Sequence, residues 1–256
     1  MAAGCVAAEE EAAELIACAP DRASLNSMIA RRVAGEPLAW ITGSARFCGL
    51  EVTVHPGVYV PRWQSETLAR TAAGLVPLRG TAVDLCTGSG AIAQVLASAR
   101  PDARVLATEI DPLAAACARA NGVDVRLGDL DEPLPVELAG QVDVMTGVLP
   151  YVPREALHLL PRDVVAFEPR SALDGGQGGL GLVTRVVERS SHWVAPGGWL
   201  LIEVGGEQFD DVDRLFRRSG YRDIQVLEDG DGDPRAVSGR LTGPTFDHAR
   251  GYASSR

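Results

Sequence analysis

The chain has 256 residues, 46% of them hydrophobic, enough for one sizeable core with a small appendage, and its 23% charged content excludes wholesale disorder. Its formal charge is −10 and every basic residue is an arginine, so an acidic surface without a basic run makes nucleic acid a poor partner. The cysteines Cys5, Cys18, Cys48, Cys86 and Cys117 are widely spaced without a CxxC pair, which argues against a disulfide framework or a structural zinc site and for a reducing, cytoplasmic setting.

Acidic residues interrupt the apolar N-terminus and no cationic segment precedes it, so neither a signal peptide nor a membrane span is expected. From Glu9 to about Arg32 apolar residues recur at helical spacing with a break at Pro20-Asp21, which predicts two short helices within an N-terminal segment over 1–45. Residues 45–54 alternate around Gly49 and predict a β-hairpin, which with the turn His55-Pro56-Gly57 and the run to Arg62 makes a hairpin and linker over 46–62. After Gly80 the pattern becomes strand–helix alternation. Strands are predicted at 81–86, 104–110, 123–127, 142–147, 198–205, 221–228 and 235–241, and helices at 65–75, 90–99, 112–120, 178–194 and 207–218. Such spacing requires crossover connections, hence an α/β domain over 63–242 with a mostly parallel, Rossmann-like, seven-stranded sheet covered on both faces. The tail over 243–256 has turn-like composition and is expected to be loosely held.

The first of these strands runs into Asp84-Leu85-Cys86-Thr87-Gly88-Ser89-Gly90 and a helix follows at once. Glycines at such a junction let backbone approach a ligand and present N–H groups at a helix start. The spacing Gly88-x-Gly90-x-x-Ala93, with Glu109 downstream, also satisfies a dinucleotide fingerprint. Three carboxylates favour S-adenosylmethionine instead. Asp84 suits the cationic amino-acid end of that cofactor and would repel a pyrophosphate. Glu109, followed by Ile110, suits the ribose hydroxyls, and Asp129, followed by Leu130, suits the adenine amino group. Asp84, Thr87, Gly88, Gly90, Glu109, Ile110, Asp129 and Leu130 are therefore the cofactor candidates. Asp111 and Asp129 also read as a helix cap and a turn residue.

The fourth strand ends in Val148-Leu149-Pro150-Tyr151-Val152-Pro153. With Ala30 to Leu38, Phe47-Cys48-Gly49-Leu50, Pro56 to Arg62 with Glu66, and Phe167-Glu168-Pro169-Arg170 with Ala172 to Gly176, this segment resembles the bacterial protein-glutamine N-methyltransferases of the HemK type, from roughly Leu25 to Leu241. The resemblance implies a class I S-adenosylmethionine-dependent methyltransferase fold and direct methyl transfer. In that family an Asn-Pro-Pro-Tyr-like motif orients the acceptor amide, the asparagine oxygen and the next backbone carbonyl accepting its two protons. Here Val148 stands at the asparagine position and only Pro150-Tyr151 remain. A buried amide proton left without an acceptor costs about 1–3 kcal/mol, which weakens selectivity for an amide.

The acceptor side is accordingly read as Tyr151, Leu149 and Pro150 for catalysis, with Val148, Thr146, Trp63 and Glu168 binding substrate. Thr146, two residues back and so on the same strand face, is assigned a partial replacement for the missing amide acceptor. Val148, Leu149 and Trp63 read as an apolar wall, which favours a small aromatic or heteroaromatic acceptor such as an indole over a protein; the short N-terminal segment points the same way. The alternatives are N-methylation of a glutamine in a release factor or another protein, and a cofactor-binding protein without catalysis; an NAD-dependent oxidoreductase comes last. Tyr151, Glu168 and His158 are the candidate bases, and Glu168 with Arg170 a candidate ion pair closing the pocket. The four histidines show no metal spacing. Gly175-Gly176-Gln177-Gly178-Gly179 contains Gly-Gly-Gln, the tripeptide that release-factor enzymes modify, but its position matches the family's own glycine-rich loop.

Overall fold

The structure is a computed structural model that describes residues 7–242, so the tail expected over 243–256 lies outside the described residues. Helices α1 (Ala8–Cys18) and α2 (Arg22–Val33) meet at the predicted break, where Asp21 caps α2 by accepting from the Ser24 N–H at 2.7 Å. A short α3 (Leu38–Thr42), which periodicity over five residues cannot reveal, ends on left-handed Gly43 and leads into the hairpin β1 (Ser44–Phe47) and β2 (Leu50–Thr53). Helix α4 (Glu66–Leu75) then precedes the alternating part: β3 (Thr81–Leu85), α5 (Ala91–Ala99), β4 (Arg104–Glu109), α6 (Pro112–Ala120), β5 (Val125–Leu127) and β6 (Val142–Gly147). After a short α7 (Arg162–Phe167), also unpredicted, come α8 (Gly181–Ser190), β7 (Val194–Glu203), α9 (Phe209–Arg218), β8 (Tyr221–Glu228) and β9 (Pro234–Leu241).

The seven strands lie in the order β5-β4-β3-β6-β7-β9-β8. All neighbours from β5 to β7 are parallel, and β9 runs antiparallel to both β7 and β8. Successive residues of a strand point to opposite faces, and each central strand carries apolar residues at both parities. Val83, Met145 and Leu200 pack with α8 and α9 on one face. Ala82, Val144 and Leu201 pack with α4 and α5 on the other, where Phe47 and Val52 of the hairpin join them. The chain order reverses between β3 and β6, which opens a crevice at the carboxyl ends of the strands, the place where open α/β sheets bind ligands. Strand β7 starts four residues earlier than the apolar run at 198 suggested, because Val142 pairs Val194 before a register shift admits Pro196-Gly197-Gly198. No helix among the described residues is long and apolar enough to cross a membrane.

Candidate active site

A cleft of about 1050 Å³ opens over those strand ends, and its wall includes Gly88, Glu109, Asp129, Leu130, Tyr151 and Glu203. The loop after β3 is shaped by left-handed Gly88 (φ 58°) and is tied to β4 by Glu109. The Gly88 N–H donates to Glu109 Oε2 at 2.8 Å, and the N–H groups of Ile110 and Asp111 donate to Oε1 at 2.9 and 3.0 Å. Three backbone donors thus fix a carboxylate that is 8% exposed at the cleft wall. Ile110 is exposed beside it. Asp111 caps α6 through the Leu113 N–H, with Pro112 at the first helical position. Asp129 lines the cleft and accepts from Arg185 at 2.7 Å, and buried Leu130 (φ 49°) turns the chain behind it.

Asp84 lies deeper. It is fully buried, its Oδ2 accepting from the Thr87 hydroxyl at 2.6 Å and its Oδ1 from the Thr146 hydroxyl at 2.7 Å. Burial pushes its carboxyl up to about 6, against the downward pull of the two hydroxyls. Thr146 is therefore not a substrate-binding residue: it is fully buried, and its hydroxyl is committed to Asp84, its neighbour across the β3–β6 register. Gly90 also takes a different place. A side chain there would lie 2.9 Å from Val123 Cγ2 and 3.0 Å from Ala118 Cβ, so this glycine lets α5 pack against the α6 region and does not face the cleft.

The donor set suits S-adenosylmethionine. Beside the glycine loop Glu109, Asp111 and Asp129 line the cleft, where they can accept from hydroxyl, amino and ammonium groups and disfavour a pyrophosphate, while Arg62, which lines it too, is held by Glu168.

On the acceptor side the loop after β6 is held by main-chain bonds. Val152 exchanges hydrogen bonds with Leu173 and Gly175, and Gln208 Nε2 donates to the carbonyls of Tyr151 and Gly178 at 3.0 and 3.2 Å. The glycine-rich loop lies directly on it: a side chain at Gly179 would come within 2.1 Å of the Tyr151 carbonyl oxygen. Val148 lines the cleft half-buried, whereas the Leu149 side chain is 1% exposed and packs in the main core, so only its backbone remains for a ligand. Trp63 stands exposed at the cleft wall under the Arg235 guanidinium, 5.3 Å from its ring centroid.

Glu168 does not pair with Arg170. It accepts from Arg62 at a buried position, while Arg170 and Arg154 both hold Asp174. His158 is exposed on the short turn Arg154–Leu159 and is not among the cleft-lining residues, which removes it as a base. The sequence alone assigns no individual role to Tyr59, Arg62, Glu203 or Gln208. The Tyr151 hydroxyl donates to Glu203 Oε1 at 3.2 Å, and Arg62 lies over the Tyr59 ring at 5.0 Å. Burial raises the phenols of Tyr151 and Tyr59, with the Glu203 charge adding to it, and burial likewise raises the Glu203 carboxyl.

No protein-family model matches the chain. It is similar to curated proteins named release factor glutamine methyltransferase. That of Geobacter sulfurreducens is 37% identical over 225 residues, covering 86% of this chain and 78% of the relative. That of Salmonella typhimurium is 36% identical over 223 residues, covering 85% and 80%. Among solved structures, the E. cuniculi Mtq2–Trm112 complex, described as responsible for methylation of the eRF1 translation termination factor, aligns with a TM-score of 0.54 at 22% identity, over 73% of this chain and 99% of that one. A T. thermophilus 16S rRNA methyltransferase in complex with AdoMet and guanosine aligns with a TM-score of 0.53 at 19% identity, over 78% and 44%. At these identities the two structures speak to the fold. The curated relatives overturn the expectation of a small-molecule acceptor, since they are named for a protein one. Of the expected apolar wall, the Leu149 side chain is buried in the core, whereas Val148 and Trp63 do line the cleft, so the wall is smaller than the sequence implies.

Proposed function

This chain belongs to the release factor glutamine methyltransferase family and is an S-adenosylmethionine-dependent methyltransferase, and we propose that it methylates the side-chain amide nitrogen of a glutamine in a release factor. The observation that carries this reading is that Pro150-Tyr151, the part of the resembled acceptor motif this chain keeps, lines the same cleft as Glu109 and Gly88. Its departure at Val148 is local.

The cofactor supplies a methyl group already activated on a sulfonium sulfur. In the proposed arrangement Glu109 accepts from the ribose hydroxyls, Asp129 and the Leu130 backbone hold the adenine edge, and Asp84 supports the loop that meets the amino-acid end. The Leu149 carbonyl accepts one amide proton of the glutamine, and Tyr151 bounds its side chain. Val148 leaves the second amide proton without the family's partner. Catalysis then comes mainly from orientation, which supplies about 7–11 kcal/mol in well-aligned systems. Residues Glu11 and Arg32 of the N-terminal helices also line the cleft, which supports a role for the short segment before the hairpin in holding a protein acceptor.

The test is methyl transfer from radiolabelled S-adenosylmethionine to a release-factor fragment containing Gly-Gly-Gln. Label is expected on the fragment and lost when its glutamine is replaced by alanine. Label that survives that replacement, or no label at all, overturns the assignment.

A further inference from the structure

We propose that Tyr151 and Glu203 form the proton-receiving pair of this site, Tyr151 touching the acceptor amide and Glu203 acting through it as a positioning residue and proton store. The proposal rests on the glutamine reading above. Glu203 ends β7 on the cleft wall and is only 3% exposed. Its Oε1 accepts from the Tyr151 hydroxyl at 3.2 Å, and its Oε2 is buried with no hydrogen-bond partner. A carboxylate with one bare buried oxygen is poorly stabilised as an anion and gains by taking up a proton.

The neighbouring charges leave that tendency in place. Arg62 is held by Glu168, and Arg235 by Asp229 and Asp233. The other groups facing Glu203 are the phenols of Tyr59 and Tyr151 and the Ser65 hydroxyl. Burial raises the Glu203 carboxyl, and the Ser65 and Tyr151 hydroxyls and the Arg235 charge oppose it.

An amide nitrogen that has gained a methyl group carries one proton too many. The nitrogen forms its bond to the methyl carbon as the carbon–sulfur bond breaks, with the electron pair leaving on sulfur. One N–H proton passes to the Tyr151 oxygen as the Tyr151 proton passes to Glu203, so phenol and carboxyl both end neutral. The proton returns to water by the same path when product leaves. The competing bases are removed by position: His158 is outside the cleft wall, and Glu168 accepts from Arg62.

The experiment compares wild type, Tyr151→Phe and Glu203→Gln at saturating S-adenosylmethionine with the Gly-Gly-Gln fragment. Both variants keep the shape of the site but cannot pass a proton. Each is expected to lower kcat about 100-fold, with the fragment KM and the calorimetric Kd for S-adenosylmethionine within about threefold of wild type. Wild-type kcat is expected to rise with pH along a limb that Glu203→Gln abolishes. Wild-type kcat in either variant, an equal loss of cofactor binding, or a flat wild-type profile between about pH 5 and 8 overturns the pair while the glutamine reading stands. Should Glu203→Gln not fold, Tyr151→Phe and the wild-type profile decide alone. Failure of wild type to label the fragment overturns the glutamine reading and the pair with it.

Discussion

Gly88 donates its backbone N–H to Glu109 at 2.8 Å and so ties the first strand–helix loop to the end of the neighbouring strand. The same carboxylate accepts from Ile110 and Asp111 and lines the cleft, so three backbone donors fix its orientation there. One side chain therefore both shapes the loop and presents an acceptor.

Glu109→Ala removes the acceptor of three backbone donors together with the proposed ribose partner. Hydrogen bonds to charged groups contribute about 1.5–3 kcal/mol each. The Kd for S-adenosylmethionine measured by calorimetry is expected to weaken at least about 30-fold, about 2 kcal/mol. A variant that binds as tightly as wild type would show that Glu109 only shapes the loop.

Asp84 makes stability depend on pH with a definite sign. Its folded value of about 6 lies above the ordinary aspartate value, so the folded state binds more protons between the two. The stability it contributes is fully present below about pH 4 and is lost as pH rises through about 6, a difference of about 3 kcal/mol. Asp84→Asn removes this dependence. Thermal unfolding of wild type is expected to lose ground to the variant as pH rises from about 4.5 to 7; parallel curves for the two proteins would count against a raised Asp84. Other raised carboxyls, Glu203 among them, act alike in both proteins and cancel in the comparison.

The glycine-rich loop separates close approach from backbone freedom. Gly178 and Gly179 both have positive φ, 68° and 77°, but only Gly179 lies against the Tyr151 carbonyl; a side chain at Gly178 meets nothing within 4 Å. Gly178→Ala is expected to cost about 1 kcal/mol through its backbone alone. Gly179→Ala adds overpacking of about 1–3 kcal/mol, which lowers Tm by roughly 5–10 °C in all and displaces the acceptor loop. Equal Tm values for the two variants would dismiss the contact as unimportant.

Much of this arrangement is legible in the chain. Helix α6 announces itself by Asp111-Pro112 and an apolar stripe, and β6 by a short run whose burial is interrupted only at Asp143, because both depend on neighbours in sequence. The misread residues depend on register and packing. Thr146 does share a strand face with Val148 by alternation, but only the β3–β6 register reveals that it meets Asp84 there. Proximity in sequence pairs Glu168 with Arg170, whereas Arg62, from which it accepts, is 106 residues away, and Glu203 is 52 residues from Tyr151. A carboxylate at the end of a buried strand is the sequence signal that marks Glu203, and it is the same signal that marks Glu109.

Val148 stands where the resembled acceptor motif has asparagine, and Val148→Asn tests what that difference does. The side chain sits half-buried at the cleft wall and packs against the hydrophobic cluster on the α4–α5 face. Asparagine there supplies an oxygen for the second amide proton of the proposed glutamine, an interaction of about 1–3 kcal/mol when the alternative is an unpaired buried donor. Methyl transfer to the Gly-Gly-Gln fragment is therefore expected to rise about 10-fold, while the loss of apolar packing lowers stability by about 1 kcal/mol. The gain is expected in kcat/KM for the fragment and not in the Kd for S-adenosylmethionine, because Glu109 and Asp129 are untouched. An unchanged or lower kcat/KM with cofactor binding intact means that another group already accepts that proton, and that Val148 is not the handicap its position suggests.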